Sequence, residues 1–320
     1  MRPRKEIIRG LHNLRPEHAE CVATIGSFDG VHLGHQAVLK QVIRKAQSLG
    51  LPAVVILFEP QPTEYLSGHN LSRQKAPARL MRFREKAEAL FEAGIERVFC
   101  LYFNEPLRSL SASDFIEKVI IQGLQPRYMV VGDDFHFGRD RGGEFALLQQ
   151  AGKAHGFDVE NTDTYEFQGQ RVSSTRVREV LAQDNFQFAA QLLGKPYTLS
   201  GRVIYGQQLG RQLGVPTANV PLRRHRSPLF GVFAVQVRLC GGERRPGVAN
   251  IGVRPTVDGE SRAVLEVHLL DFDQSIYGEA ITVEFEKKLR DERAFGSLTL
   301  LKEQIFYDID AARQFFSSKL

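Results

Sequence analysis

Two hydrophobic rhythms run through the first half of the chain. Unbroken apolar runs at residues 21–25, 53–58, 97–103 and 127–131 read as strands buried on both faces. Between them the apolar residues fall at helical spacing. Val38, Leu39, Val42, Ile43, Ala46 and Leu49 form one stripe, closed by Gly50 and Pro52. Phe83, Ala87, Leu90 and Phe91 form a second, stopped by Gly94. A third helix opens on the capping-box pattern Ser111-Ala112-Ser113-Asp114 and ends near Gly123. Residues 59–62 form a turn, and a polar loop runs from there to about Arg79. Strands and helices that alternate across short connections predict a doubly wound parallel sheet, Rossmann-like in build. Ligands of such a sheet lie beyond the carboxyl ends of its strands.

The rhythm changes after Leu181. A short helical stretch over residues 184–193 ends in the boundary signal Gly194-Lys195-Pro196. Strands then follow at residues 197–204, 231–239, 263–270 and 281–285, with a hairpin turn at Gly241-Gly242. This predicts a small antiparallel β-barrel. A long helix closes the chain, with Leu301, Ile305, Ile309, Ala312 and Phe316 on its inner side. Two domains are expected, 1–184 and 185–320, in keeping with a length of 320 residues.

Composition narrows the function classes. No apolar run approaches the roughly 18 residues of a membrane span. The basic start, Met1-Arg2-Pro3-Arg4-Lys5, lacks the apolar core of a secretory signal. Cys21, Cys100 and Cys240 lie far apart, so reduced thiols in a cytoplasmic protein are expected rather than a disulfide framework or a zinc site. The net charge of +5 is spread out, and its densest cluster, Arg223-Arg224-His225-Arg226, is short. Small polyanions such as nucleotides account for it as well as nucleic acid does. Nucleic acid would call for aromatics interleaved with a basic strip, which the chain lacks.

Candidate chemistry gathers where strands hand over to helices. Thr24-Ile25-Gly26-Ser27-Phe28-Asp29-Gly30-Val31-His32-Leu33-Gly34-His35 runs from a strand through a glycine-rich turn into a helix. Free N–H groups and the helix dipole favour an anion at such a corner. Gly34 leaves room for a phosphate to approach the backbone, and His32 and His35, three apart, can grip one group together. Two histidines at a helix start also read as plain polar caps. Neither a Walker A loop nor a dinucleotide fingerprint is present. After the fourth strand, Val130-Val131-Gly132-Asp133-Asp134-Phe135-His136-Phe137-Gly138-Arg139 is an acidic, aromatic turn, either part of a site or the N-cap of the next helix. Val172-Ser173-Ser174-Thr175-Arg176-Val177-Arg178 places hydroxyls and then two arginines at a further helix start. Arginines there oppose the dipole and are better explained by a bound anion.

In the second half, Gly206, Gly210 and Gly214 recur at intervals of four around Arg211. That suits a loop folding over phosphates, and equally a flexible connection. Thr217 and Asn219 offer oxygens suited to Mg²⁺. Glu266 interrupts an apolar strand whose alternation puts Val264, Glu266, His268 and Leu270 on one face. It is either a solvent-facing residue or a functional one.

The His-x-Gly-His string resembles the signature of the nucleotidylyltransferase superfamily. That resemblance implies that His32 and His35 bind ATP phosphates and stabilise the charge of departing pyrophosphate. With V-V-G-x-D-F-x-F-G and S-S-T-R-V-R in this order, the first half resembles the FMN adenylyltransferase module of bacterial bifunctional riboflavin kinase/FAD synthetases. The resemblance assigns Gly26, Phe28, Asp29, Gly34, Asp134, Ser174, Thr175, Arg176 and Arg178 to the ATP site, and Asp133 and Phe135 to the flavin site. His136 departs from the pattern, which has Arg there. Gly214-Val215-Pro216-Thr217-Ala218-Asn219 is similar to the riboflavin kinase hallmark. Gly231-Val232-Phe233-Ala234-Val235, Gly247-Val248-Ala249-Asn250-Ile251-Gly252, Glu266-Val267-His268 and Leu289-Arg290-x-Glu292-x-x-Phe295 agree with it. This implies Glu266 as catalytic base, Gly206, Gly210, Arg211 and Gly214 as phosphate flap, Thr217 and Asn219 as Mg²⁺ ligands, and Asn250 and Arg290 as flavin contacts. The expected protein phosphorylates riboflavin to FMN and adenylylates FMN to FAD, each time with ATP. It is expected to act in the cytoplasm as a monomer or weak homo-oligomer, without nucleic acid or membrane. Two rival readings stand beside it: a single-activity nucleotidylyltransferase with an inactive flavin-binding module, and a basic nucleic-acid-binding protein.

Overall fold

The computed structural model describes residues 5–69, 76–206, 210, 213–224, 226–255 and 261–319. The chain divides into two compact units, Met1–Pro77 with Phe83–Ser173, and Ala78–Arg82 with Ser174–Leu320.

The first unit is built on six parallel strands: β1 Glu6–Arg9, β2 Val22–Ile25, β3 Ala53–Glu59, β4 Arg97–Tyr102, β5 Tyr128–Gly132 and β6 Asp158–Thr162. Their order is β1-β4-β3-β2-β5-β6. The chain leaves β2 towards β3 on one side and returns to β5 on the other. The gap between β2 and β5 is therefore the switch point where α/β sheets bind ligands. The four central strands are those expected from apolar runs. Burial of Ala23, Ile25, Val54, Ile56, Phe99, Leu101, Met129 and Val131 against Val119 and Ile120 accounts for them. The two edge strands were not expected. Asp158–Thr162 is mostly polar and exposed, and Glu6–Arg9 is only four residues long, so neither makes an apolar run. The stretch expected as a loop after residue 62 contains a helix, Pro62–His69, with proline at its first position, where its missing N–H costs nothing. A short hairpin, β7 Glu166–Phe167 and β8 Gln170–Arg171, follows β6. Cys21 and Cys100 are buried and free, and Cys240 is exposed. Burial pushes the Cys21 thiol up to about 12 and that of Cys100 to about 11.

The second unit is an antiparallel sheet of β9 Thr198–Arg202, β10 Ala218–Pro221, β11 Gly231–Arg238, β12 Arg244–Pro255, β13 Ser261–Leu269 and β14 Ala280–Arg290. Its order is β10-β13-β12-β11-β14-β9. The ends meet through a bridge in which Ile204 N–H donates to Asn219 O at 2.9 Å, so the sheet is a nearly closed barrel. Phe233, Val235, Ala249, Ile251, Leu265, Val267, Val283 and Phe285 fill its interior. The closing helix Leu298–Ser317 lays Ile309 and Ala312 on the outside of the barrel against Val232, Ala234 and Val248. Strands β10 and β12 were not foreseen as strands. Their sequences are short or rich in arginine and glycine, and pairing with β13 and β11 holds them extended.

Candidate active sites

In the first unit the turn after β2 is tightly folded. Phe28 and Val31 have φ of 47° and 42°, and Gly30 has φ of 88°. A left-handed β-branched residue is a genuine outlier. The turn is tied down by Gly26 N–H on Ile56 O at 3.2 Å and by Gln36 Nε2 on Val31 O at 2.9 Å. Phe28 and Asp29 are buried. His32 is the N-cap of the helix Leu33–Leu49, not a residue within it. Its Nδ1 accepts the backbone N–H of His35 at 3.3 Å. The capping reading is the one seen here, and with Nδ1 accepting, Nε2 carries the ring proton. The two imidazoles stack at 3.6 Å, and Phe28 lies 4.9 Å from the His35 ring. Burial, the His32 ring and the positive charges of Lys86 and Arg171 hold His35 well below its ordinary range. His35 is thus a neutral imidazole at pH 7, and its buried Nδ1 has no partner among the described residues.

Gly34 is closely packed on its side-chain side. A Cβ there would sit 3.0 Å from the Val172 carbonyl and 3.2 Å from His32 Nδ1. The protein itself fills the space that a side chain would need there. The turn after β5 is tied to the hairpin. Arg171 binds Asp134 at 2.7 Å and Asp133 at 3.5 Å, and Thr164 donates to Asp133. Phe135 stacks on Phe137 at 5.2 Å, and His136 folds back on the Asp134 carbonyl at 2.8 Å.

Ser174, Thr175, Arg176 and Arg178 stand on the first turns of the helix Ser174–Ala182, which groups with the second unit. Arg178 Nε donates to the Ala78 carbonyl at 2.6 Å, and Arg176 lies over the Phe188 ring at 5.3 Å.

The second unit holds a cavity of about 340 Å³ between the barrel wall and the closing helix. Register explains its polar row. Glu266 on β13 is paired with Asn219 on β10 and with Asn250 on β12, so the three side chains share one face and line the cavity together. Asn250 Oδ1 is buried without a partner among the described residues. Thr217 and Gly210 complete this side. A Cβ on Gly206 would strike the Asn219 side chain, and one on Gly210 would strike the Val215 carbonyl and approach Thr217 Oγ1 to 3.2 Å. The first two glycines of the loop thus press on the two residues expected to hold a metal. Gly214, with φ of 84°, turns the chain back. Arg211 lies outside the described residues. On the opposite rim Arg290 forms a bidentate pair with Asp308 of the closing helix, at 2.8 and 3.0 Å. His268 Nδ1 holds the Pro216 carbonyl at 2.8 Å.

Comparison with known proteins agrees with this two-part geometry. A family model described as FAD synthetase matches residues 14–176, and one described as riboflavin kinase matches residues 193–316. A bifunctional riboflavin kinase/FMN adenylyltransferase of Pseudomonas fluorescens is 54% identical over 96% of this chain and 97% of its own length. Its namesake in Escherichia coli K12 is 49% identical over 97% and 98%. The chain belongs to the bifunctional riboflavin kinase/FMN adenylyltransferase family. The crystal structure of a macrolide-efflux protein from Streptococcus pneumoniae shares the architecture over 96% of this chain and 98% of that one, with a TM-score of 0.77 at 29% identity. Both halves of the family are present in one chain, which disfavours the single-activity reading.

Two residues of this family member escaped the sequence reading although the signal was present. Asp308 falls on the apolar stripe of the closing helix with Leu301, Ile305, Ile309 and Ala312, where a carboxylate needs a partner. Lys86 falls on the stripe of Phe83, Ala87 and Leu90, and its side chain is buried.

Proposed function

We propose that the two sites carry out two consecutive transfers on one chain, each by the residues gathered there. The chain is a transferase with riboflavin kinase and FMN adenylyltransferase activities; its substrates are riboflavin, FMN and ATP, and its use of ATP implies a divalent metal. The observation that carries the assignment of roles is the row Asn219–Glu266–Asn250 across three paired strands. It sets one carboxylate between two amides in a cavity sized for a small ligand.

In the second unit Glu266 accepts the proton of the ribityl 5′-hydroxyl as that oxygen attacks the γ-phosphorus of ATP, giving FMN and ADP. The flap of Gly206, Gly210, Arg211 and Gly214 covers the phosphates, and Asn250 and Arg290 meet the flavin. The donors around Thr217 fit Mg²⁺: a threonine hydroxyl and an asparagine carbonyl are hard oxygens. Among the described residues there is no group of three or more His, Cys, Asp or Glu that could hold a metal. Thr217 and Asn219 would thus hold Mg²⁺ by oxygens, with the nucleotide's phosphates as further ligands. When bound, the ion neutralises charge on the phosphates during transfer.

In the first unit a phosphate oxygen of FMN attacks the α-phosphorus of a second ATP and pyrophosphate leaves. A phosphate is already nucleophilic at neutral pH, so charge stabilisation rather than a strong base is required. His32, with its proton on Nε2, and neutral His35 are proposed as hydrogen-bonding partners of the ATP phosphates. Ser174, Thr175, Arg176 and Arg178 are proposed as further phosphate ligands, with Gly26, Phe28, Asp29 and Asp134 at the nucleotide and Asp133 and Phe135 at the flavin. Functionally, 1–184 is the adenylylating part and 185–320 the phosphorylating part. We place the enzyme in the cytoplasm, as a monomer or weak homo-oligomer acting on small molecules alone. Its free thiols agree with a reducing compartment, and no helix among the described residues is long and apolar enough to cross a membrane.

The test is product chromatography on two variants. Glu266→Gln should stop FMN formation while supplied FMN is still adenylylated. His32→Ala should do the reverse, with a loss of about 10²–10³ in FAD formation. A Glu266→Gln enzyme with full kinase turnover would remove the base assignment, and parallel loss of both activities would remove the two-site division.

A further inference from the structure

Lys86 lies in the helix Phe83–Glu92 and is 1% exposed. Lysine is almost never fully buried unless its ammonium is hydrogen-bonded or paired. Here Nζ donates to the Ser27 carbonyl at 2.5 Å. Ser27 opens the turn in which Phe28 and Val31 both take left-handed backbone angles. Strain of this kind persists only where the surroundings over-determine it, and it clusters at sites where geometry matters. Other ties on the turn include Gly26 N–H on the Ile56 carbonyl of β3 and Gln36 Nε2 on the Val31 carbonyl. Lys86 reaches in from a separate helix and sets its amino head on the turn. The Lys86 head also adds to burial and to the His32 ring in lowering His35, and acts on the thiol of Cys100, where Glu59 opposes it.

We propose that Lys86 is a positioning residue for adenylyl transfer: by holding the Ser27 carbonyl it fixes the strained turn that sets Phe28, His32 and His35 around the ATP phosphates. A packing role alone would make the ammonium dispensable once its hydrophobic stem was kept. The hydrogen bond to the turn makes the charged head the part that counts. The inference rests on the reading of the first unit as the adenylylating site.

Lys86→Met keeps the stem and removes the head. Lys86→Arg keeps the charge and the donor. Each is assayed for FMN adenylylation and, in the same preparation, for riboflavin phosphorylation, which reports on the folding of the chain. A misplacement of about 1 Å at a reacting centre costs about 10²-fold in rate. Lys86→Met is therefore expected to lower kcat for FAD formation about 10²-fold, to change KM for ATP by less than about threefold, and to leave FMN formation unchanged. Lys86→Arg is expected to recover most of the loss. An unchanged kcat in Lys86→Met, a rise in KM alone, or an arginine variant as impaired as the methionine one would overturn the inference. So would equal loss of both activities in Lys86→Met and Lys86→Gln, which would make Lys86 a folding residue. If the unmodified chain made no FAD from FMN and ATP, the underlying reading would fall instead.

Discussion

Removing the Asp308 carboxylate should injure the kinase half alone. Asp308 is 5% exposed and accepts from Arg290 Nε at 3.0 Å, from Arg290 Nη2 at 2.8 Å and from Gln304 Nε2 at 2.8 Å. In Asp308→Ala the Arg290 guanidinium keeps the Asp291 carbonyl at 2.9 Å and its place over Phe295 at 5.6 Å, and loses its counter-charge. Breaking a buried pair from one side costs about 3–5 kcal/mol. Arg290 retains 19% side-chain exposure, so water can reach the orphaned head, which argues for the low end, about 3 kcal/mol. For a unit of this size that is about 6–12 °C in Tm. The same freed arginine lines the cavity that holds Glu266. Losing a hydrogen bond to a charged group is worth about 1.5–3 kcal/mol, or about 10–100-fold in KM for riboflavin. Asp308→Asn, which keeps an acceptor, should show roughly half of each effect. The assay pairs calorimetry with chromatographic rates for FMN and for FAD formation in one preparation. A variant with unaltered Tm and unaltered KM for riboflavin would refute the coupling of the closing helix to the cavity, and equal loss of FAD formation would refute its confinement to one site.

Two further outcomes follow from the same geometry. Gly210→Ala puts a methyl group on the Val215 carbonyl and close to Thr217 Oγ1; it should cut riboflavin phosphorylation about 10–100-fold and spare adenylylation of supplied FMN, measured by the same chromatography. His35 titrates well below 6.5 in the folded chain, so as pH falls the unfolded chain binds the proton first. Its contribution to stability is therefore intact above about 6.5 and is lost progressively below it, and thermal inactivation of FAD formation should steepen from pH 7 to 5.5 less in His35→Gln than in the unaltered enzyme.

What the sequence made legible is what periodicity and spacing encode. Four central strands announced themselves as apolar runs because both their faces are covered. The closing helix showed its inner face residue by residue, and the two motif-bearing corners fell at the switch point where ligands collect. The edge strand Asp158–Thr162 was silent because, with one neighbouring strand and open water beyond it, most of its side chains are polar and exposed and only Val159 packs on the core. Asn219 and Asn250 could be named from the family pattern, but only register shows that they flank Glu266, since pairing between β10, β13 and β12 joins residues far apart in the chain. Lys86 and Asp308 were visible as charges on apolar stripes. A stripe says that such a charge must have a partner, and only tertiary structure says that the partners are the Ser27 carbonyl and Arg290.

The two sites differ in the group each would set against its substrate, and the nucleophiles explain the difference. A ribityl hydroxyl must lose a proton as it attacks, so a carboxylate belongs in its cavity, and Glu266 stands there between the Asn219 and Asn250 amides. An FMN phosphate needs no base, and a carboxylate beside it would repel both it and the triphosphate. In the first unit Asp133 and Asp134 are engaged by Arg171, and the groups at the helix start are imidazoles, one of them held neutral. A neutral imidazole can hydrogen-bond a phosphate without gripping the ground state as a full cation would, which leaves its benefit for the moment when charge moves onto pyrophosphate. Placing a carboxylate at His35 should then be worse for FAD formation than removing the ring altogether, because the charge it adds opposes the one that develops.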